Sequence, residues 1–116
     1  MIKGRKIITL CGSTRFKDDY VRVMRELALQ GNVVLTVAFF EHADNIPLTT
    51  GQKQLVDEIH LRKIDLADMI YVINKGGYVG ESTRREIEYA RANGKEVTYM
   101  EPPRGYQRNN LTSVPR

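Results

Sequence analysis

Four apolar runs of strand length alternate along this chain with segments whose apolar residues recur at helical spacing, and that alternation restricts the fold more than any other feature. The runs are Lys6–Cys11, Asn32–Phe40, Met69–Asn74 and Glu96–Met100. Between the first two, Phe16, Tyr20, Met24 and Leu27 mark a helix that Gly31 stops. Thr49 or Thr50 opens a second helix, with an inward stripe of Val56, His60, Ile64 and Ala67 and with Ile59 beside it. A third helix, from about Thr83 to Asn93, turns Ile87 and Ala90 inward and ends at Gly94. The run Asn32–Phe40 is continuous enough to read as a strand covered on both faces.

Strands joined to helices by short turns imply an α/β fold with right-handed crossovers. The expected form is a three-layer, four- or five-stranded parallel sheet of flavodoxin or Rossmann-like type, in strand order 2-1-3-4. With 116 residues and 41% hydrophobic content the chain holds one core. Residues 1–101 form a single domain in this reading, and 102–116, with prolines, arginines and little periodicity, form a tail or an arm reaching a neighbour.

Ligands in such sheets bind beyond the carboxyl ends of the strands, where the strand order reverses. That point lies between the first and third strands, and the loops it brings together are Gly12–Arg15 and Gly76–Thr83. The first loop, with Gly12, Ser13, Thr14 and Arg15, offers hydroxyls, backbone N–H groups and a guanidinium at a helix start, which suits a phosphate or a sugar hydroxyl. An ordinary strand-to-helix turn with a serine cap has the same residue types. Neither the dinucleotide fingerprint nor a P-loop glycine pattern is present. The second loop has Gly76, Gly77 and Gly80 for close backbone approach, while Ser82 and Thr83 can cap the helix and leave N–H groups facing an anion.

Glu86 falls in the first turn of that helix and leans toward the cleft, beside Ile87 and one turn before Ala90. The rival reading is a capping box, in which Glu86 merely bonds back to the backbone at Thr83. His60 lies on an apolar stripe, where a lone histidine is commonly a satisfied core residue, yet its place in the first half of its helix lets it approach the cleft. Asp65 and Asp68 belong near the opposite rim. Cys11 ends a buried strand and reads as a small packing residue.

Eighteen Lys+Arg against fourteen Asp+Glu give a net charge of +4, which fits a small anionic ligand and is too dispersed for a nucleic-acid groove. One cysteine excludes an internal disulfide, and the sequence shows no secretory leader and no apolar stretch of membrane length, so the expected location is cytoplasmic. His42 and His60 with scattered carboxylates lack metal-ligand spacing in sequence, so no metal and no cofactor is expected.

Three segments, in order, resemble the nucleoside 2-deoxyribosyltransferase-like superfamily, which includes deoxyribosyltransferases and nucleotide N-hydrolases. Leu10–Arg15 is similar to the Cys-Gly-Ser-any-Arg turn of the deoxynucleotide N-hydrolases, Ala67–Val72 to the alanine-aspartate opening of their third strand, and Gly80 through Glu86-Ile87-Glu88-Tyr89-Ala90 to their glycine-led nucleophile motif. The resemblance spans about Ile7 to Glu101. It implies cleavage or exchange of the N-glycosidic bond of a nucleoside or nucleoside 5′-monophosphate, with Glu86 as nucleophile and Ser13, Arg15, Ser82 and Thr83 on the phosphate or sugar. Family members have a second acidic residue where this chain has His60, whose imidazole would donate a proton or orient a hydroxyl. The expected partner is thus a small nucleoside or nucleotide, not a nucleic acid or a membrane, in a homo-oligomer. The competing expectation is a domain of the same fold that senses a nucleotide without cleaving it.

Overall fold

The structure is a computed structural model and describes residues 2–103. Strands β1 (Ile7–Gly12), β2 (Val33–Leu35), β3 (Met69–Ile73) and β4 (Glu96–Tyr99) pair in parallel in the order β2-β1-β3-β4. Helices α1 (Lys17–Leu29), α2 (Thr50–Leu66) and α3 (Glu81–Ala92) connect them, and a short 3₁₀ turn at Lys75–Gly77 follows β3. The expected α/β fold and strand order are both present.

Alternation along the central strands sorts the core into two clusters. Ile8 and Leu10 of β1 and Met69 and Ile73 of β3 meet Tyr20 and Val23 of α1 on one face. Cys11, Ile70, Val72 and Val97 meet Ile64 of α2 and Ile87 and Ala90 of α3 on the other. Successive strand side chains point to opposite faces, so both faces must be apolar for the sheet to be covered twice.

The helix ends follow local chemistry. Thr49 and Gln52 form a reciprocal capping box at the start of α2. Gly31 and Gly94, at φ +96° and +73°, follow the last residues of α1 and α3. At the amino edge the Asp68 carboxylate accepts a hydrogen bond from the Ile7 N–H at 2.7 Å, and Asp65 accepts one from the Tyr89 hydroxyl at 2.6 Å. Both aspartates therefore sit on the rim away from the ligand edge, as expected.

Two expectations are corrected. The strand expected over Asn32–Phe40 is confined to Val33–Leu35, paired only with Ile7–Thr9. Beyond Leu35 the chain leaves the sheet edge: the Thr36 carbonyl accepts from Lys63 Nζ at 2.7 Å, and Val37 and Phe40 pack into the α1-side cluster, Phe40 edge-on to Tyr20 at 5.3 Å. Their apolar character serves that cluster, not a ladder. Helix α3 begins at Glu81, with Gly80 at the cap and no side-chain cap bond. Thr83 is buried inside the first turn, the Thr83–Glu86 capping box does not form, and Glu86 is the sixth helical residue, in the second turn.

One backbone approach is obligatory. Gly12 has φ +141°, and a Cβ there would lie 2.5 Å from the Ile73 carbonyl oxygen. The carboxyl ends of β1 and β3 close together only because that residue has no side chain. Gly12→Ala is expected to lower stability by about 3 kcal/mol or more, against about 1 kcal/mol for Gly76→Ala, which meets no neighbour; urea unfolding midpoints measure both.

Candidate functional site

The cleft at the switch point has a volume of about 250 Å³ and is walled by both loops, by α2 and by the start of α3. Glycine at position 12 ends β1, so the last side chain of the strand on the α2/α3 face is Cys11. Helix α2 runs back from the carboxyl edge and brings His60 to that position from its second half, as the eleventh of seventeen residues, and not from the first half as expected; α3 brings Glu86 there as the sixth of twelve. The result is a corner where Cys11 Sγ lies 3.5 Å from His60 Nε2, and His60 Nε2 lies 3.9 Å from Glu86 Oε1. Cys11 is fully buried, His60 is 6% exposed and the Glu86 side chain 16%.

Burial controls the protonation of all three groups. It raises the Glu86 carboxyl from 4.5 to about 7, with a hydrogen bond from the Cys11 thiol pulling the other way. Burial lowers His60 from 6.5 to about 4, helped by the Lys63 charge and opposed by a backbone hydrogen bond at Leu10. The Cys11 thiol is pushed well above its ordinary value by burial and then by the nearby Glu86 charge. At neutral pH the 3.9 Å contact therefore joins a neutral imidazole to a carboxyl poised between its two forms, and it is not an ion pair.

The outer wall is polar. Ser13 Oγ accepts hydrogen bonds from the Arg15 N–H at 3.3 Å and from Arg15 Nε at 3.0 Å. The Arg15 guanidinium lies over the Tyr78 ring at 4.9 Å, and Phe16 meets that ring edge-on. This stack joins the loop after β1 to the loop after β3. The Thr14 hydroxyl hydrogen-bonds His42 Nδ1 and accepts from the His42 N–H at 3.3 Å. At the base of the second loop the Asn74 side chain donates to the Glu101 carbonyl and accepts from its N–H, each at 2.9 Å. Gly80, Glu81, Ser82 and Thr83 also line the cleft, so the helix start without a side-chain cap faces it.

Gly12, Ser13, Thr14, Arg15, Gly80, Ser82, Thr83 and Glu86 of the two motifs line this cleft, together with His60, whereas Gly76 and Gly77 do not, the Gly76 N–H being bonded to the Glu101 carboxylate. Cys11 differs from its expected role as packing alone, since its sulfur touches His60 Nε2 and lies within 4.8 Å of a Glu86 carboxylate oxygen. Lys53, Asp57, Lys63 and Tyr78 also line it and were not singled out from the sequence. A signal for two of them exists: Lys53 and Asp57 recur with His60 at i, i+4 and i+7, and a charged row beside an apolar stripe marks a helix face that borders a cavity. A larger groove of about 490 Å³ lies against the α1-side sheet face near Tyr71, Thr98 and Met100, and the titratable groups of its described lining are Lys6, Tyr71, Tyr99 and Glu101.

No protein-family model and no curated protein matches the chain. Among the described residues no helix is long and apolar enough to cross a membrane.

The two shifted groups leave opposite marks on stability. Glu86, raised from 4.5 to about 7, binds its proton more readily when folded, so its contribution is complete below pH 4.5 and is lost as pH rises through 7. His60, lowered from 6.5 to about 4, contributes above pH 6.5 and loses that contribution as pH falls through 4. The effects oppose each other in the shared window, and only the Glu86 cost persists at alkaline pH. Glu86→Gln is therefore expected to be more stable than wild type at pH 8, by on the order of 3 kcal/mol, with the difference vanishing toward pH 4. Urea unfolding at a series of pH values checks this.

Proposed function

We propose that the protein cleaves or exchanges the N-glycosidic bond of a nucleoside or nucleoside 5′-monophosphate, with Glu86 as the nucleophile. The observation that carries this reading is a carboxylate at the floor of a switch-point cleft, 16% exposed and held between a thiol and an imidazole. The transition state of such a reaction is oxocarbenium-like, and an anion beneath the sugar is the natural complement to its charge.

In this mechanism a Glu86 oxygen forms a bond to the anomeric carbon as the bond to the base nitrogen breaks. The bonding pair leaves with the base, which takes up a proton. Water in the open cleft supplies it, since Asp57 on the cleft wall is ion-paired to Lys53 and accepts from its Nζ. The glycosyl ester on Glu86 is then attacked by water, which gives hydrolysis, or by a second base, which gives transfer; either step restores the carboxylate. His60, held neutral, orients the Glu86 carboxyl through its 3.9 Å contact. The Ser13–Arg15 turn and the uncapped start of α3 receive the 5′-phosphate, supported by one guanidinium and by free helix N–H groups.

Because the nucleophile must be ionised, base release is expected to rise with pH through about 7, the value to which burial raises Glu86. Glu86→Gln is expected to reduce release by about a thousandfold or more. A panel of nucleosides and nucleoside monophosphates assayed by chromatography tests both. Turnover that survives Glu86→Gln contradicts the proposal, and tight nucleotide binding without turnover in either protein assigns the cleft to nucleotide sensing instead.

A further inference from the structure

Cys11, His60 and Glu86 bring three different donor atoms to one point from three elements, β1, α2 and α3. The thiol sulfur, an imidazole nitrogen and a carboxylate oxygen all lie within 4.8 Å of one another. An ion with metal–sulfur and metal–nitrogen bonds of about 2.3 and 2.0 Å in tetrahedral array holds those two donors about 3.5 Å apart. Cys11 Sγ and His60 Nε2 are 3.5 Å apart, and His60 Nε2 to Glu86 Oε1, at 3.9 Å, needs only a small carboxylate rotation. The donors are fixed in position: Cys11 by the sheet, His60 by burial on α2 and by its contact with Cys11.

We propose that this corner is a binding site for a borderline-soft divalent cation of the Zn²⁺ class. A thiolate, an imidazole and a carboxylate suit Zn²⁺ or Co²⁺ and are a poor set for Mg²⁺ or Ca²⁺. Binding forms bonds from the ion to Sγ, Nε2 and a carboxylate oxygen, and the thiol proton leaves to solvent. Two anionic ligands neutralise the divalent charge, so the loaded corner carries no net charge into its buried surroundings. His60 and Glu86 line the cleft, so the fourth position opens to it and takes water or an oxygen of a ligand. The ion and a sugar carbon compete for the same Glu86 carboxylate, so a loaded site blocks the proposed glycosyl chemistry. That consequence alone rests on the function proposed above.

Titration of the metal-free, reduced, full-length protein with Co²⁺ tests the site without any substrate. The expected result is one equivalent bound, with the intense visible bands of a tetrahedral ion and a thiolate-to-cobalt charge-transfer band in the near ultraviolet. Because Cys11 is the one cysteine of the chain, that band reports it directly. Cys11→Ser is expected to abolish the band, and Glu86→Gln and His60→Ala to weaken Zn²⁺ in competition with a chromogenic chelator by about tenfold or more. Glu86→Gln keeps the readout valid should another variant fail to fold, which circular dichroism reports. Absence of the charge-transfer band in wild type overturns the site, as does an affinity unchanged by Glu86→Gln, or one lost in His42→Ala but kept in Cys11→Ser.

Discussion

The interaction on which this structure turns is the burial of three ionisable side chains against one another beneath the carboxyl edge of a parallel sheet. Each would be charged or readily charged in water, and each is held neutral or nearly so by loss of that water: Cys11 fully buried, His60 pushed down to about 4, Glu86 pushed up to about 7. A folded chain tolerates such a corner when the groups satisfy one another, as the imidazole does by touching both the thiol and the carboxyl. The arrangement costs stability when the carboxyl ionises. A carboxylate that is expensive to hold in water-poor surroundings is also one whose cost positive charge on a bound ligand would relieve.

The sheet accounts for the placement. Parallel strands send every helix back past the carboxyl edge, so His60, eleventh of the seventeen residues of α2, and Glu86, sixth of the twelve of α3, come down beside the strand that ends between them. Gly12 lets β1 and β3 close without a side chain at their ends, leaving Cys11 as the terminal side chain on that face. The Arg15–Tyr78 stack then ties the two loops over the same corner, and Asn74 secures the second loop through Glu101. A polar upper wall and a dry floor in one small cleft suit a ligand with an anionic end and a less polar reacting centre.

Much of this was legible in the residue pattern because it depends on periodicity and on topological rules that act over short range. Alternating strand and helix signals imposed the parallel sheet, its order and the meeting of two loops, and the position of Glu86 beside Ile87 placed it inward. What was not legible depends on contacts between distant elements. Apolar residues after Thr36, up to Phe40, look like strand from the inside, yet the chain leaves the β1 edge after Leu35, although β1 runs on to Gly12, and Val37 and Phe40 pack into the α1-side cluster instead. Thr83 has the residue type of a cap, but packing draws it into the helix and Gly80 takes the cap position. Cys11 looked inert because its neighbours come from residues 49 and 75 positions away in sequence, and no linear spacing announces that meeting.

The most direct test is an NMR titration of the Glu86 side-chain carboxyl carbon in the full-length protein, assigned by loss of the resonance in Glu86→Gln. Burial between Cys11 and His60 predicts a midpoint near 7, the value to which the carboxyl is raised. A midpoint at the ordinary 4.5 would place the carboxyl in water and contradict the account.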